Sequence, residues 1–334
     1  MHADPGSTVL VTGGTGFVGS HLVERLVGLG YRVRCLIRRT SSLKYLPVGA
    51  VELVYGELTT GAGLREAVQE VRTVFHVAGV TKANSARDYY RGNLRATDNL
   101  LRAIVESGSE PPRLVHVSTL AAMGPSPDGN PIAEDSPPRP LTHYGRSKLE
   151  AEEAVRNSPL ASYAVIVRPP VVYGPRDTDV FQVFQTVRRG FMLQIGRQER
   201  FFSLIHVQDL VEGLLAAARA EYGQARAYFM AQPQPASWTE FASTAAEVMG
   251  RRLITVPVPL PAAYGLAFLV EIGSWLRGKP SIISREKVRE AQCRFWTCDT
   301  SRARLELGFS PQKSLRDGVA ETLNWYKMVG WLKW

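Results

Sequence analysis

The stretch VTGGTGFVGSHL, Val11 to Leu22, sets Gly13, Gly14, Gly16 and Gly19 directly after the apolar run Val9-Leu10-Val11 and directly before an amphipathic segment. Glycines at such a junction allow a turn too tight for side chains, so that backbone N–H groups at a helix start can approach an anion. Two registers are satisfied at once: Gly14, Gly16 and Gly19 spell GxGxxG, while Gly13, Gly16 and Gly19 spell GxxGxxG. Between a first strand and a first helix, that pattern points to the pyrophosphate of a dinucleotide.

The chain that follows has the periodicity such a start requires. "YRVRCLI", "VELVYG", "TVFHVAG", "RLVHVST" and "YAVIVRPP" read as strands. They alternate with helical patterns over Phe17–Leu29, Leu64–Gln69 and Ala86–Glu106 and from about His143, and Gly30 suits the end of the first helix. Alternation of this kind predicts an α/β fold, a doubly wound parallel (Rossmann) sheet. After Arg168 the pattern loosens. "FFSLIHV" reads as a strand, "DLVEGLLAAARA" as a helix with Asp209 as its N-cap, and "AYFMA" as a late strand. Prolines at 233–235 and 257–261 mark boundaries, and "WTEFASTAAEVMG" and "LRDGVAETLNWYKMVG" suggest helices beyond them. The expected organisation is a dinucleotide-binding domain over 7–168 and 201–231, with a smaller, mostly helical substrate lobe over 169–200 and 232–334.

At 334 residues, 45% hydrophobic and 21% charged, the chain has the composition of a globular protein with a large core. The net charge of +9 is scattered rather than gathered into a run, so a phosphate-rich small ligand is expected and a nucleic-acid partner is not. Three cysteines, Cys35, Cys293 and Cys298, form no paired framework and have no histidines beside them, which suggests a reducing compartment and no metal site. The first residues lack a signal-peptide pattern, and a cytoplasmic location is expected. Leu253 to Leu276 is the most apolar later stretch, but Pro257, Pro259, Pro261 and Glu271 interrupt it. It is expected to cover a pocket or touch a membrane peripherally rather than to span one.

An acidic residue at the end of the second strand would bind the ribose 2′-hydroxyl of NAD. Here the stretch reads RCLIRRTSSLK, without an acid. Arg38 and Arg39, with Lys44 behind them, suit a 2′-phosphate, so NADP is favoured over NAD. Further along, HYGRSK spaces Tyr144 and Lys148 four apart, on one face of a helix. A nearby ammonium favours the phenolate and draws a tyrosine toward acid-base work on a carbonyl. Ser118 and Thr119 end the "VHVST" strand at the sheet edge where ligands bind, and either hydroxyl could donate to a substrate oxygen.

Taken in order, "TGGTGFVG", "HVAG", "YYRGNLRATDNLL", "VSTLAAMG", "YGRSK", "RPPVVYGP" and "HVQDLVEGL" resemble the extended short-chain dehydrogenase/reductase family, also called the NAD-dependent epimerase/dehydratase family. The resemblance implies that Gly13, Gly16 and Gly19 take the pyrophosphate, with Phe17, Val18, Pro169 and Val171 also in the cofactor-binding set. It places Glu57 and Leu58 at the adenine, where the family usually has aspartate, and Ala78 and Gly79 along the cofactor groove. It makes Thr119 rather than Ser118 the catalytic hydroxyl and Tyr144 the acid-base residue. Lys148 would hold the nicotinamide ribose and lower the tyrosine pKa, and Asn93 would stand near the active site. A homodimer is typical of the family.

Family resemblance leaves the substrate open. In sugar-nucleotide enzymes "RPPVVYGP" would resemble R-x-x-N-V-Y-G-P, whose asparagine contacts the substrate diphosphate; here Val171 stands in that place. Arg176, Arg197 and Arg200 remain as phosphate partners. Leu120 and Ala121 occupy the positions where a dehydratase would carry its acid pair. The "VRCLIRRTSSLKYL" stretch is similar to the branch of 3β-hydroxysteroid dehydrogenases and dihydroflavonol reductases, and the apolar run Ala262–Leu276 suits a lipophilic substrate. The expectation is an NAD(P)-dependent oxidoreductase of a secondary alcohol or ketone on a bulky, apolar small molecule. The alternatives are a nucleotide-sugar 4-epimerase or dehydratase and a non-catalytic cofactor-binding regulator.

Overall fold

The computed structural model describes residues 6–108, 110–220, 223–277 and 284–334, with the backbone alone for 275–277. Six strands come first: β1 (Thr8–Thr12), β2 (Arg32–Ile37), β3 (Val51–Tyr55), β4 (Thr73–His76), β5 (Arg113–Val117) and β6 (Ala164–Arg168). Four short strands follow, β7 (Val171–Tyr173), β8 (Phe191–Ile195), β9 (Phe201–Phe202) and β10 (Leu204–His206), and then β11 (Arg226–Phe229). Strands β1 to β6 and β11 form one seven-stranded sheet in the order β11-β6-β5-β4-β1-β2-β3, every pair of which is parallel. The order reverses between β1 and β4, and the crevice beyond the carboxyl ends of those strands is where such sheets bind ligands.

Parallel strands need crossovers, and the helices supply them on both faces. The first helices are α1 (Phe17–Gly28), α2 (Leu64–Ala67), α3 (Ala86–Tyr90), α4 (Ala96–Glu106) and α5 (His143–Arg156); α6 (Val180–Arg188) and α7 (Val207–Arg219) come next. Alternation along β1 shows how the faces divide. Val9 and Val11 pack with Leu22 and Leu26 of α1 and Leu210 and Leu214 of α7, whereas Leu10 packs with Leu64 of α2, Leu100 of α4 and Val155 of α5. The helical pattern over 86–106 is interrupted between α3 and α4 by a π turn over Arg91–Arg95.

The remaining strands β12 (Ala236–Ser237), β13 (Ile254–Val258) and β14 (Phe295–Trp296), with α8 (Trp238–Val248), α9 (Leu260–Arg277), α10 (Arg285–Gln292), α11 (Ser301–Leu307) and α12 (Leu315–Met328), complete the chain. Phe184 of α6, Phe241 of α8 and Tyr326 of α12 anchor a second core beside the sheet, together with Tyr173. Sequence periodicity merged 201–206 into one strand. The structure breaks it at Ser203, with β9 between β12 and β14 and β10 beside β7. Asp209 is not the cap of α7: His206 holds that place, its side chain accepting from the Gln208 N–H. The Asp209 carboxylate instead accepts the N–H groups of Gln312 and Lys313 at 3.0 and 3.1 Å, fastening the segment that leads into α12.

Candidate active site

The glycine loop leaves β1 at Gly13, whose φ of +72° is the left-handed region that favours glycine. A Cβ there would meet the Ala78 nitrogen at 2.7 Å, and one on Gly19 would meet the Gly13 carbonyl oxygen at 2.1 Å. The loop is therefore pressed against the end of β4 with no room for side chains. Gly16 occupies the N-cap of α1 without a side-chain hydrogen bond, so the N–H groups of the first turn, on Phe17 and Val18, are left to the loop. A backbone-lined concavity at a helix start fits the pyrophosphate of a dinucleotide.

At the end of β2, Arg38 and Arg39 are exposed, and the Arg39 guanidinium lies 5.3 Å from the centre of the Tyr55 ring. Lys44 and Arg176 both stand against Tyr45, at 5.1 and 4.9 Å. Among the described residues, Arg38, Arg39 and Lys44 form no ion pair. Glu57 accepts both the N–H and the hydroxyl of Thr59 at 3.2 Å, and the Leu58 carbonyl accepts from the Asn99 amide of α4 at 2.7 Å.

Helix α5 begins at the Thr142 cap, and its first turns carry Tyr144 and Lys148. The buried Lys148 ammonium donates to the Val117 carbonyl at 2.7 Å; burial pushes its pKa down to about 8, with the Glu152 carboxylate opposing. Thr119 follows β5, and its hydroxyl stands near enough to Tyr144 to act on the phenol. Burial raises the Tyr144 pKa above its ordinary value, against the pull of the Thr119 hydroxyl. The expected lowering by Lys148 is thus corrected in the chain alone, because the ammonium is held by a carbonyl and burial dominates the phenol.

The Ser118 hydroxyl is engaged away from Tyr144. It donates to Glu152, whose carboxylate also takes the Arg168 guanidinium at 2.6 and 2.9 Å, and Arg168 donates onward to the Glu134 carbonyl at 2.9 Å. Burial is the largest influence and would raise the Glu152 pKa, but Arg168, Ser118 and Arg156 together outweigh it and the carboxyl is held low. Ser118 belongs to this buried ion cluster beneath the site, and Thr119 is the hydroxyl beside Tyr144.

Asn93 stands in the π turn with its side chain fully engaged. Its Oδ1 accepts the Val80 N–H at 2.7 Å, and its Nδ2 donates to the Val80 carbonyl at 3.1 Å and the Ser147 hydroxyl at 2.9 Å. Ser147 in turn donates to the Tyr144 carbonyl. This brings Gly79 so near that a Cβ would lie 3.3 Å from Asn93 Oδ1 and 3.7 Å from the Lys148 ammonium. Ala78 donates its N–H to Thr12 Oγ1 at 3.3 Å. Gly13, Ala78, Gly79, Asn93, Tyr144 and Lys148 are thereby linked into one crevice wall. Pro169 adjoins it through its carbonyl, which accepts from Leu120 N–H at 2.9 Å.

Val171 is 40% exposed and paired with Leu204. Two of the three arginines considered for phosphate have other partners: Arg176 pairs with Glu24 at 2.6 Å, and Arg200 donates to the Ala291 carbonyl. Helix α10 contributes residues that the sequence alone did not single out. Glu286 accepts the His143 N–H at 3.0 Å and Glu290 accepts the Thr142 hydroxyl at 3.1 Å, so both acids brace the start of the helix that carries Tyr144. Lys287, paired with Glu290 at 2.6 Å, draws the Tyr144 pKa down while Glu290 pushes it up. REKVREAQ reads locally as a solvated helix, and only the fold brings it more than 140 residues back.

The profile of the NAD dependent epimerase/dehydratase family matches residues 9–230. The chain is 32% identical over 332 residues to a ceramide reductase of Caulobacter vibrioides, covering 99% of this chain and 98% of that protein. It is 27% identical to the 4-hydroxy-2-methyl-3-oxo-4-farnesyl-3,4-dihydroquinoline-1-oxide ketoreductase of Stigmatella aurantiaca, over 92% of this chain and 93% of that one. The solved structure of MoeE5 in complex with UDP-glucuronic acid and NAD superposes with a TM-score of 0.76 at 28% identity, covering 97% of this chain and 100% of that one.

Proposed function

Because the chain belongs to the NAD dependent epimerase/dehydratase family and is an oxidoreductase, we propose that it reduces a ketone, or oxidises the matching secondary alcohol, on a bulky apolar molecule. The observation that carries the reading is the Thr119–Tyr144 pair, set at the carboxyl end of β5 beside the glycine-loop crevice. A dinucleotide held by the glycine loop would supply or accept the hydride at its nicotinamide. In the reducing direction Thr119 donates a hydrogen bond to the ketone oxygen and Tyr144 gives it a proton. Lys148 stabilises the phenolate that remains once its ammonium is freed from the Val117 carbonyl. Asn93 holds the backbone of Val80, in the loop after β4, and, through Ser147, the backbone of Tyr144.

Arg38 and Arg39, exposed and without acid partners among the described residues, favour the 2′-phosphate of NADP(H). Val171, and the engagement of Arg176 and Arg200, favour an apolar substrate over a nucleotide sugar. The ceramide and farnesyl-quinoline reductases, both named for lipid-like substrates, support that choice. Oxidation of NADPH and NADH should be followed with long-chain and polycyclic ketones, with UDP-sugars alongside. NADPH turnover on the apolar ketones is expected; turnover of UDP-sugars alone would replace this reading with the epimerase one, which the MoeE5 likeness keeps in play. A chain that binds the dinucleotide and turns over neither class would be a regulator.

A further inference from the structure

Helix α9 packs inward through Ala263 and Ala267, which touch Val288 of α10 and meet Ile195 and Val258 at the ends of β8 and β13. On its opposite face, among the described residues, the Arg285 guanidinium stands 5.4 Å from the centre of the Phe268 ring and the rest is open. Leu266, Phe268, Leu269 and Ile272 are 55%, 48%, 66% and 43% exposed. The one charge among residues 260–274, Glu271, is half-buried and paired with Arg285 at 2.6 Å. Beyond the helix, the β8–β13 pair continues the same character: Phe191 stands opposite Ile254 and Leu193 opposite Val256, and Phe191, Leu193 and Ile254 are 46%, 53% and 61% exposed. Exposed apolar side chains gathered on adjoining elements mark an interaction surface.

The border of that face is basic. Arg189 leads into β8, Arg197 follows it, and Arg251 and Arg252 lead into β13; all four are exposed, and among the described residues none is in an ion pair. Unpaired guanidinium groups around an apolar face are complementary to a surface that offers phosphate oxygens at its rim and hydrocarbon within. A second copy would fit less well, because a two-fold contact through this patch would set the same four arginines against one another. No described helix is long and apolar enough to cross a membrane, so contact would be interfacial.

We propose that α9 and the β8–β13 edge dock this protein on the surface of a lipid bilayer carrying anionic headgroups. Val288 of α10 packs on α9, while Glu286 and Glu290 of the same helix brace the start of α5. The docked face therefore lies one helix away from Tyr144. The surface stands on its own geometry and does not require the ketone reading.

Flotation of the full chain with vesicles of phosphatidylcholine, or of equal parts phosphatidylcholine and phosphatidylglycerol, tests this. Binding to the anionic vesicles is expected. Leu266→Glu/Leu269→Glu should lower it roughly tenfold or more, since both side chains would leave the acyl boundary. Arg251→Gln and Arg252→Gln should each weaken anionic binding roughly fivefold while leaving residual binding to the neutral vesicles unchanged. Thermal unfolding of each variant checks its fold, and the arginine variants test the idea independently should the leucine pair fail to fold. Absence of vesicle binding, binding unmoved by both sets of changes, or a dimer broken by the leucine changes without any vesicle binding would overturn the proposal.

Discussion

Tyr144 and Lys148 share a helix face, yet in the free chain each is governed by its own burial: the phenol is raised and the ammonium lowered to about 8. Replacing Tyr144 with Phe should cost at least about a hundredfold in kcat with dinucleotide affinity retained, the scale of a lost general acid. Fluorescence titration beside steady-state rates would check it, and unchanged kcat would remove Tyr144 from its role. Lys148 is protonated below its depressed pKa, so kcat/KM for reduction should fall as pH rises through about 8, the free-enzyme ionisation that kcat/KM reports. A pH–rate profile flat from pH 7 to about 9 would contradict that assignment. The Tyr144–Lys148 spacing and the strand-end position of Thr119 were legible because they are local patterns. Whether the ammonium acts on the phenol was not, because that depends on the Val117 carbonyl, brought in by another strand.

Between elements, the strongest polar tie near the site joins α5 to β6. Glu152 and Arg168 are 0% and 3% exposed, and Ser118 and the Glu134 carbonyl complete their bonds. Removing one member strands the other, so Glu152→Ala should destabilise the fold by about 3–5 kcal/mol. The double change Glu152→Leu/Arg168→Met should cost less than Glu152→Ala alone. Urea denaturation of both proteins decides, and a cheaper single change would refute the accounting. The alternation of strands and helices in the first half was readable because parallel strands buried on both faces leave continuous apolar runs. The break at Ser203 was not, since β9 and β10 belong to different sheets and only their partners separate them. Asp209 matched the capping signature, but His206 reached the helix start first.

Across the whole molecule, the second core is assembled from chain that leaves the sheet and returns. Ser126 and Ile132, between β5 and α5, donate to the carbonyls of Phe295 and Thr297, and Tyr326 of α12 donates to the Asp177 carbonyl before α6. With such crossings, calorimetry should show one cooperative unfolding transition. Two resolved transitions would mean that the cores melt separately. The proposed organisation into a dinucleotide-binding domain and a substrate lobe concerns where ligands bind, and one transition is compatible with it. The sequence marked Leu253–Leu276 as apolar without showing its direction. Direction emerges only when Ala263 and Ala267 find α10 and the strand ends, leaving Leu266 and Leu269 outward.

The π turn at Arg91–Arg95 sets the aim of the residues that precede it. A π turn is an α-helix holding one residue more than its hydrogen bonding accommodates, as a single-codon insertion would leave it. Everything before the insertion is rotated by about 100° relative to everything after it. That offset lets Tyr89 face Tyr144 across the crevice while Leu100 and Ile104 stay in the core beneath the sheet. Deleting Gly92 would restore a regular helix and swing Tyr89 away from Tyr144. At this place the length of the gene, counted in codons, sets the aim of the side chains as firmly as the identity of any one of them.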